Sequence, residues 1–234
     1  MTWKINILTL FPDMFPGFLG VSVTGRAHKE NIWDYQAINI RDFAHDKHKT
    51  VDDVPFGGGA GMVMKPDIVE AAILSIPDPG RKIYMSPRGV PLTQSLAQEF
   101  SKEENLTILC GRYEGIDQRV LDAYGFEEIS IGDYVLTGGE QAAMILMDSV
   151  IRLLPGAVGN AETPGDESFS EGLLEYPHYT RPASWTDSSG ETRDVPAVLT
   201  SGHHGNVDKW RKLQAEELTR AKRPDLWSKY TKKP

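Results

Sequence analysis

The 234-residue chain holds one cysteine, Cys110. A single thiol excludes an intramolecular disulfide framework and any multi-cysteine zinc site. At the end of the apolar stretch Leu106 to Cys110 it reads as a small buried strand residue rather than a nucleophile. No apolar run approaches the roughly 20 residues that a bilayer span requires, so no membrane partner is expected. The start of the chain lacks a basic segment followed by a signal-type apolar region, because Trp3 to Phe11 reads as a strand. A cytoplasmic protein is the expectation. Positive charge is also short. A net charge of −8 excludes a chain-wide basic surface, and no DNA-binding motif is present, so DNA is not an expected partner. No G-x-G-x-x-G follows a strand, and Gly57-Gly58-Gly59-Ala60-Gly61 is not followed by Lys-Ser/Thr, which excludes the two common phosphate-binding loops. His45, Asp46, His48, Asp52 and Asp53 fit no common zinc spacing and read as solvated loop residues. No metal site is predicted, and a role for Mg²⁺ is not readable from the residues.

What is present belongs to a globular protein with ample length for a core: 40% of residues are hydrophobic and 25% charged. Strands are expected at Trp3 to Phe11, Trp33 to Ile40, Lys82 to Met85, Leu106 to Cys110 and Phe126 to Ile129. Helices are expected from Pro12 through Phe18, then at Val21 to Glu30, Lys65 to Ile76, Thr93 to Phe100, Gln118 to Ala123 and Glu140 to Leu154. Such alternation predicts an α/β fold, a mainly parallel sheet flanked by helices. Arg41 to Met64 shows little periodicity and is expected to be a long functional or irregular loop. The last of these helices is apolar too far around for a single surface helix, which predicts burial against a partner subunit or deep inside the chain. Composition shifts after Pro155. Gly156 to Glu171 has linker character, and a helix is expected from about Asn206 to Ala221. From Lys209 onward cations dominate, as a phosphate-binding tail or a solvated helix face.

Three loops stand out. Ser130 to Gly139 reads Ser-Ile-Gly-Asp-Tyr-Val-Leu-Thr-Gly-Gly, a glycine-rich connection carrying enough apolar surface to sandwich a flat heterocycle. Gly111 to Asp117 follows one buried strand, and Ser86-Pro87-Arg88-Gly89 follows another. In open parallel sheets, ligands bind at the carboxyl ends of strands, where three such loops would converge.

These residues carry a resemblance. Cys110-Gly111-Arg112-Tyr113-Glu114-Gly115-Ile116-Asp117 and Ser130-Ile131-Gly132-Asp133-Tyr134-Val135-Leu136 resemble motifs of the bacterial tRNA (guanine-N1-)-methyltransferase family. So do Arg41-Asp42-Phe43, His45-Asp46, Val51-Asp52-Asp53 with Gly57-Gly58-Gly59, and Pro177-His178-Tyr179-Thr180-Arg181-Pro182. The resemblance runs in order from the first strand to past Gly202. It implies a deep trefoil knot of the SPOUT type in residues 1–159, a flexible linker over 160–175, and a small, mainly helical tRNA-binding domain over 176–234. It also implies a homodimer with active sites shared between subunits, with the Arg41 to Met64 loop at the interface and site rim.

The implied reaction moves a methyl group from S-adenosylmethionine to N1 of the guanosine just 3′ of the tRNA anticodon, so the anticodon stem-loop is the implied partner. N1 of neutral guanine carries a proton that a base must remove, and charge then grows on O6. The family's arginine corresponds to Arg152, which would equally complement a helix dipole. The family's base is an Asp two residues before the Phe of Asp-Ser-Phe. Here the run is Asp166-Glu167-Ser168-Phe169, so Glu167 holds the aligned position and Asp166 has the family's side-chain type. Either could instead cap a helix starting near Ser168. The donor pocket implied by the resemblance comprises Tyr84, Met85, Ser86 and Pro87, then Gly111, Tyr113 and Glu114. Ile131, Gly132, Asp133, Tyr134, Val135, Leu136, Gly138 and Gly139 complete it. Two alternatives share parts of this reading: a knotted methyltransferase acting on another RNA atom, such as a ribose 2′-hydroxyl, and a non-catalytic RNA-binding protein. Donor binding and the position of the transferred methyl discriminate them.

Overall fold

The computed structural model describes residues 2–158, 168–169 and 172–232, and the chain divides into two compact units, Met1–Ala161 and Glu162–Pro234. The first unit is built in chain order from β1 (Trp3–Thr9), α1 (Ser22–Lys29), β2 (Trp33–Asn39), a short pair β3 (Asp52–Asp53) and β4 (Val63–Met64), and α2 (Pro66–Leu74). It continues with β5 (Arg81–Pro91), α3 (Gln94–Phe100), β6 (Asn105–Cys110), α4 (Gln118–Tyr124), β7 (Glu127–Ser130) and α5 (Gly139–Ile151). The five-stranded sheet has the order β2-β1-β6-β5-β7, and every neighbouring pair is parallel.

β6 from Leu106 onward and residues 83–86 of β5, central in the sheet, are buried without a break because both faces are covered there, whereas the edge strands β2 and β7 keep polar residues. Successive side chains alternate between two cores. Ile5, Ile7, Ile83, Met85, Leu106, Ile108 and Cys110 face a core shared with α5, α3 and the Trp33 indole. Leu8, Tyr84 and Leu109 face the other, built with Ile68, Val69, Ala72 and Ile73 of α2 and Val120 and Leu121 of α4. The two buried indoles are tied down by hydrogen bonds: Trp3 Nε1 donates to Phe100 O at 3.2 Å and Trp33 Nε1 to Thr24 O at 2.9 Å. Thr93 and Asp117 cap α3 and α4 by accepting from the backbone N–H of Leu96 and Arg119.

Several expectations need correction. The segment after β1 is not a helix but two 3₁₀ turns, Pro12–Met14 and Gly17–Gly20. Residues 41–64 are only partly irregular: a 3₁₀ turn covers Ile40–Phe43, and β3 pairs with β4 in antiparallel fashion, with Val51 and Met64 fully buried. Strand β5 does not stop at Met85. It runs on through Ser86-Pro87-Arg88-Gly89, with a register shift between Met85 and Val90, so that Val90 and Pro91 pair again with β7. The broad apolar stripe on α5 needs no correction, since burial inside the chain, one of its two readings, is observed: Ala142, Ala143, Met144, Leu146, Met147, Val150 and Ile151 are buried in the subunit's own core, while Ile145 is 43% exposed.

In the second unit a hairpin of β8 (Ser184–Thr186) and β9 (Thr192–Asp194) precedes α6 (Ala197–Thr200), α7 (His204–Lys222) and α8 (Pro224–Tyr230). The hairpin was not expected from the sequence, because its strands are short, bury none of their residues and carry no apolar alternation. Leu174 N donates to Thr219 Oγ1 on α7 at 2.8 Å, and Thr219 Oγ1 donates in turn to Ala215 O at 2.7 Å. These bonds fix residues 172–175, the end of the expected linker, against that helix. Among the described residues no helix is long and apolar enough to cross a membrane.

Candidate active site

Strands β6, β5 and β7 are adjacent and parallel, so the loops after them emerge at one edge of the sheet. Those loops enclose a cavity of about 290 Å³, close to the lower bound of small-molecule sites. Every residue expected at a donor pocket lines it except Asp133. Arg112, Gly115, Ile129, Ser130, Thr137 and Ala142 line it as well. Of these, Arg112 sits inside the loop motif itself, as the one basic residue of Gly111 to Asp117, where the sequence carries no signal that it is drawn inward.

The loops fit together because backbone meets backbone. Gly139 N donates to Gly111 O at 3.0 Å, and a Cβ on Gly139 would lie 2.8 Å from Cys110 Cα. Any side chain there would force the two loops apart. Gly132 adopts φ +145, a conformation that side chains disfavour, and a Cβ on it would come 2.6 Å from the Tyr134 ring. Tyr134 is in turn held by its N–H to Gly132 O at 2.9 Å and its hydroxyl to Ile131 O at 3.3 Å. The result is a cavity lined by the apolar side chains of Met85, Ile129, Ile131 and Ala142 together with the glycine backbone of the three loops. Tyr84 closes the base. Burial raises its phenol pKa, so the hydroxyl remains a neutral hydrogen-bond donor. Burial, with the Glu140 charge nearby, also pushes the Cys110 thiol well above its ordinary range. It is therefore inert as a nucleophile.

At the rim, Glu114 is exposed and its carboxylate lies against Gly61, where a Cβ would be 2.5 Å from Oε1. The rim is stitched to the segment around β4. Glu114 N donates to Met62 O at 2.9 Å, Met64 N to Gly115 O at 2.9 Å and Asp117 N to Met64 O at 3.2 Å. Inside, Arg112 Nη2 stands 2.9 Å from Glu140 Oε2 in a buried ion pair.

Arg152 is not brought to this cavity. It is the C-cap of α5, its N–H donating to Asp148 O at 3.3 Å. The cavity lies at the other end of that helix, whose 13 residues span about 20 Å at 1.5 Å per residue. Burial raises the Asp148 carboxyl pKa, and the Arg152 charge partly offsets the shift. Glu167 and Asp166 lie outside the described residues. Among the described residues no group of three or more His, Cys, Asp or Glu side chains could hold a metal ion.

The second unit carries a separate candidate surface. Lys209, Arg211, Lys212 and Arg220 are exposed on α7. The Arg211 guanidinium stacks 5.0 Å from the Tyr176 ring centroid, and Tyr179 lies 6.2 Å from Trp210.

Residues 3–229 match the model of a family described as tRNA (guanine-1)-methyltransferase TrmD. A Rhodospirillum rubrum protein named tRNA (guanine-N(1)-)-methyltransferase is 58% identical over 231 residues, covering 98% of this chain and 95% of that protein. Proteins of the same name from Mesorhizobium japonicum and Bartonella henselae are 54% and 51% identical, over 97% and 99% of this chain and 97% and 98% of their own lengths.

Proposed function

The chain belongs to the tRNA (guanine-1)-methyltransferase family, and from that membership we propose that it transfers a methyl group to N1 of the guanosine immediately 3′ of the tRNA anticodon. The observation that carries this reading is the cavity at the carboxyl ends of β5, β6 and β7 in a chain matched along nearly its whole length. The donor implied by the family is S-adenosylmethionine, which supplies an electrophilic methyl group when bound. The residues present fit it: Gly111, Gly138 and Gly139 line the cavity with bare backbone, packed where a Cβ would collide with Tyr84, Arg112 and Cys110, and the remaining walls carry enough apolar surface for an adenine ring. Tyr84, Met85, Ser86 and Pro87 would hold one side. Gly111, Tyr113 and Glu114 would hold the second, and Ile131 to Gly139 the third.

A carboxylate takes the N1 proton of guanine, and Glu167 is the proposed base because it holds the aligned position; Asp166 is the neighbouring candidate. The Arg152 guanidinium neutralises charge growing on O6. Within one subunit Arg152 and the cavity stand at opposite ends of α5. A single site using both therefore needs two copies of the chain, which supports a homodimer with composite sites. Exposed Phe18, Val21, Phe56 and Ile145 supply apolar surface for such contacts. A deep trefoil knot in the first unit is proposed from the family membership alone. The cations of α7 are proposed to meet the phosphates of the tRNA. A protein acting on tRNA, with no membrane-spanning helix among its described residues, is proposed to work in the cytoplasm.

Methyl transfer to unmodified tRNA transcripts carrying guanosine or adenosine 3′ of the anticodon tests the function. The expected product is N1-methylguanosine from the first transcript and none from the second. Methyl on a ribose would replace this reading with that of another RNA methyltransferase. Donor binding without transfer would leave a non-catalytic RNA-binding protein.

A further inference from the structure

The Arg112–Glu140 pair is an unusual component for a cavity wall. Glu140 in the first turn of α5 has a fully buried side chain, and that of Arg112 is 17% exposed. Two ions that deep require close partnering. Glu140 Oε1 accepts from Thr9 Oγ1 at 2.7 Å, and Thr9 Oγ1 accepts from Phe11 N at 2.9 Å. Arg112 Nη1 donates to Thr137 O at 3.1 Å, and its guanidinium lies 4.4 Å from the Phe11 ring centroid. Gly138 rests directly on the guanidinium: a Cβ there would be 2.3 Å from Nε. One side chain thus touches three segments of chain, namely the end of β1, the start of α5 and the loop that closes the cavity.

The pair is not arranged for stability alone. Arg112 Nε is buried without a hydrogen-bond partner, and Glu140 Oε2 has the ionic contact but no aligned hydrogen bond. A bidentate fork would satisfy both atoms. Buried ion pairs of this quality contribute little net stability, and apolar replacements of both partners are often at least as stable. What the pair does supply is location. It fixes where the Thr137 carbonyl and the Gly138 backbone stand relative to Gly111, and so the width of the cavity. Only arginine can reach Thr137 O and Glu140 at once, because its donors are splayed in a rigid plane; lysine offers a single point charge.

We propose that Arg112 is a positioning residue for the methyl donor: anchored by Glu140, it holds the Thr137–Gly139 backbone, through its bond to Thr137 O, at the spacing the donor needs. The proposal rests on the donor reading of the cavity. Its test is calorimetric titration of S-adenosylmethionine into wild-type protein, Arg112→Lys, Glu140→Gln and the double variant Arg112→Met/Glu140→Leu, with melting curves and tRNA affinity measured on the same samples. The double variant leaves no uncompensated buried charge and is expected to fold even if a single variant does not. The expected result is donor affinity at least tenfold below wild type in each folded variant, including a double variant that melts like wild type, with tRNA affinity measured without donor within twofold of wild type. A folded double variant with wild-type donor affinity would overturn the proposal and make the pair merely structural. So would donor and tRNA affinities falling together. If the wild-type protein itself does not bind S-adenosylmethionine, it is the reading of the cavity that fails.

Discussion

Both units of the chain carry local, solvated ion pairs, Arg26 with Glu30 and Lys49 with Asp42 among those of the first, but of the described residues only those of the first unit form a buried one. In the first, Glu140 is buried and meets partners far away in sequence, Arg112 and Thr9, the latter 131 residues distant. In the second, the ion pairs are local and solvated: Arg193 with Asp187 and Glu191, Arg223 with Asp225, and Arg211 with Asp208. Burial differs in the same sense. The sheet of the first unit has a core on each face, whereas the described residues of the second bury only Leu173, Ala215 and Thr219. A small ligand binds best where the walls are already in place, since little ordering has to accompany binding. A phosphate polymer needs exposed cations and aromatic faces more than a rigid slot. The contrast assigns the proposed donor to the first unit and the proposed tRNA contacts to the second.

The sharpest way to probe this division is at the carboxylates Asp166 and Glu167, just past the boundary between the units in sequence. Glu167→Gln should lower the single-turnover methyl-transfer rate by about two to four orders of magnitude, the share of a general base. Donor and tRNA affinities should stay near wild type, because the loss belongs to the transition state. Asp166→Asn should cost much less, and Glu167→Asp should retain substantial activity. A large loss in Asp166→Asn with little in Glu167→Gln would move the base one residue upstream.

Composite sites make a further demand. Gly132→Val and Glu167→Ala subunits, each inactive alone, should regain activity when exchanged into mixed dimers, because one intact site per dimer results. Mixtures no more active than either parent would place each site within a single subunit.

The smallest effect concerns acid. The Arg193 guanidinium and the Ser189 hydroxyl hold the Asp187 carboxyl down to about 2. A carboxyl lowered in the folded state stabilises above its unfolded value, about 4, and that contribution disappears as pH falls through the folded value. The β8–β9 hairpin should therefore loosen between about pH 4 and 2. Trp185, half-exposed on that hairpin, gives a fluorescence readout when the other tryptophans are replaced. An emission unchanged down to pH 2 would show that the ion pair does not hold the hairpin.

How much of this was legible in the sequence depends on what each residue needed. The central strand β6 was visible as an apolar run because both of its faces are buried, β1 and β2 by their alternation, and two of the cavity loops because glycine-containing runs follow β6 and β7. The extension of β5 through Pro87 was not visible, since Ser-Pro-Arg-Gly has the grammar of a loop and only pairing with β7 makes it a strand. The role of Arg112 was hidden for a similar reason: an arginine in a loop is ordinarily solvated, and its burial depends on Glu140 and Thr9, which arrive from distant segments. The breadth of α5 was seen, but its cause was not, because periodicity cannot distinguish a subunit interface from an interior. The exposed hairpin left no apolar trace at all.

The division of labour is tested most directly by titrating two variants with both ligands. Gly132→Val places a branched side chain at φ +145 against the Tyr134 ring, inside the proposed donor cavity. Reversing the charge of Lys209, Arg211 and Lys212 removes cations from α7. The account predicts that Gly132→Val stays folded, melts lower because of the strain at φ +145, loses S-adenosylmethionine binding and keeps its tRNA affinity. The reversed variant should keep donor affinity but bind tRNA more weakly, with a shallower salt dependence because fewer counterions are released. Wild-type donor affinity in Gly132→Val, or an unaltered salt slope in the reversed variant, would contradict it.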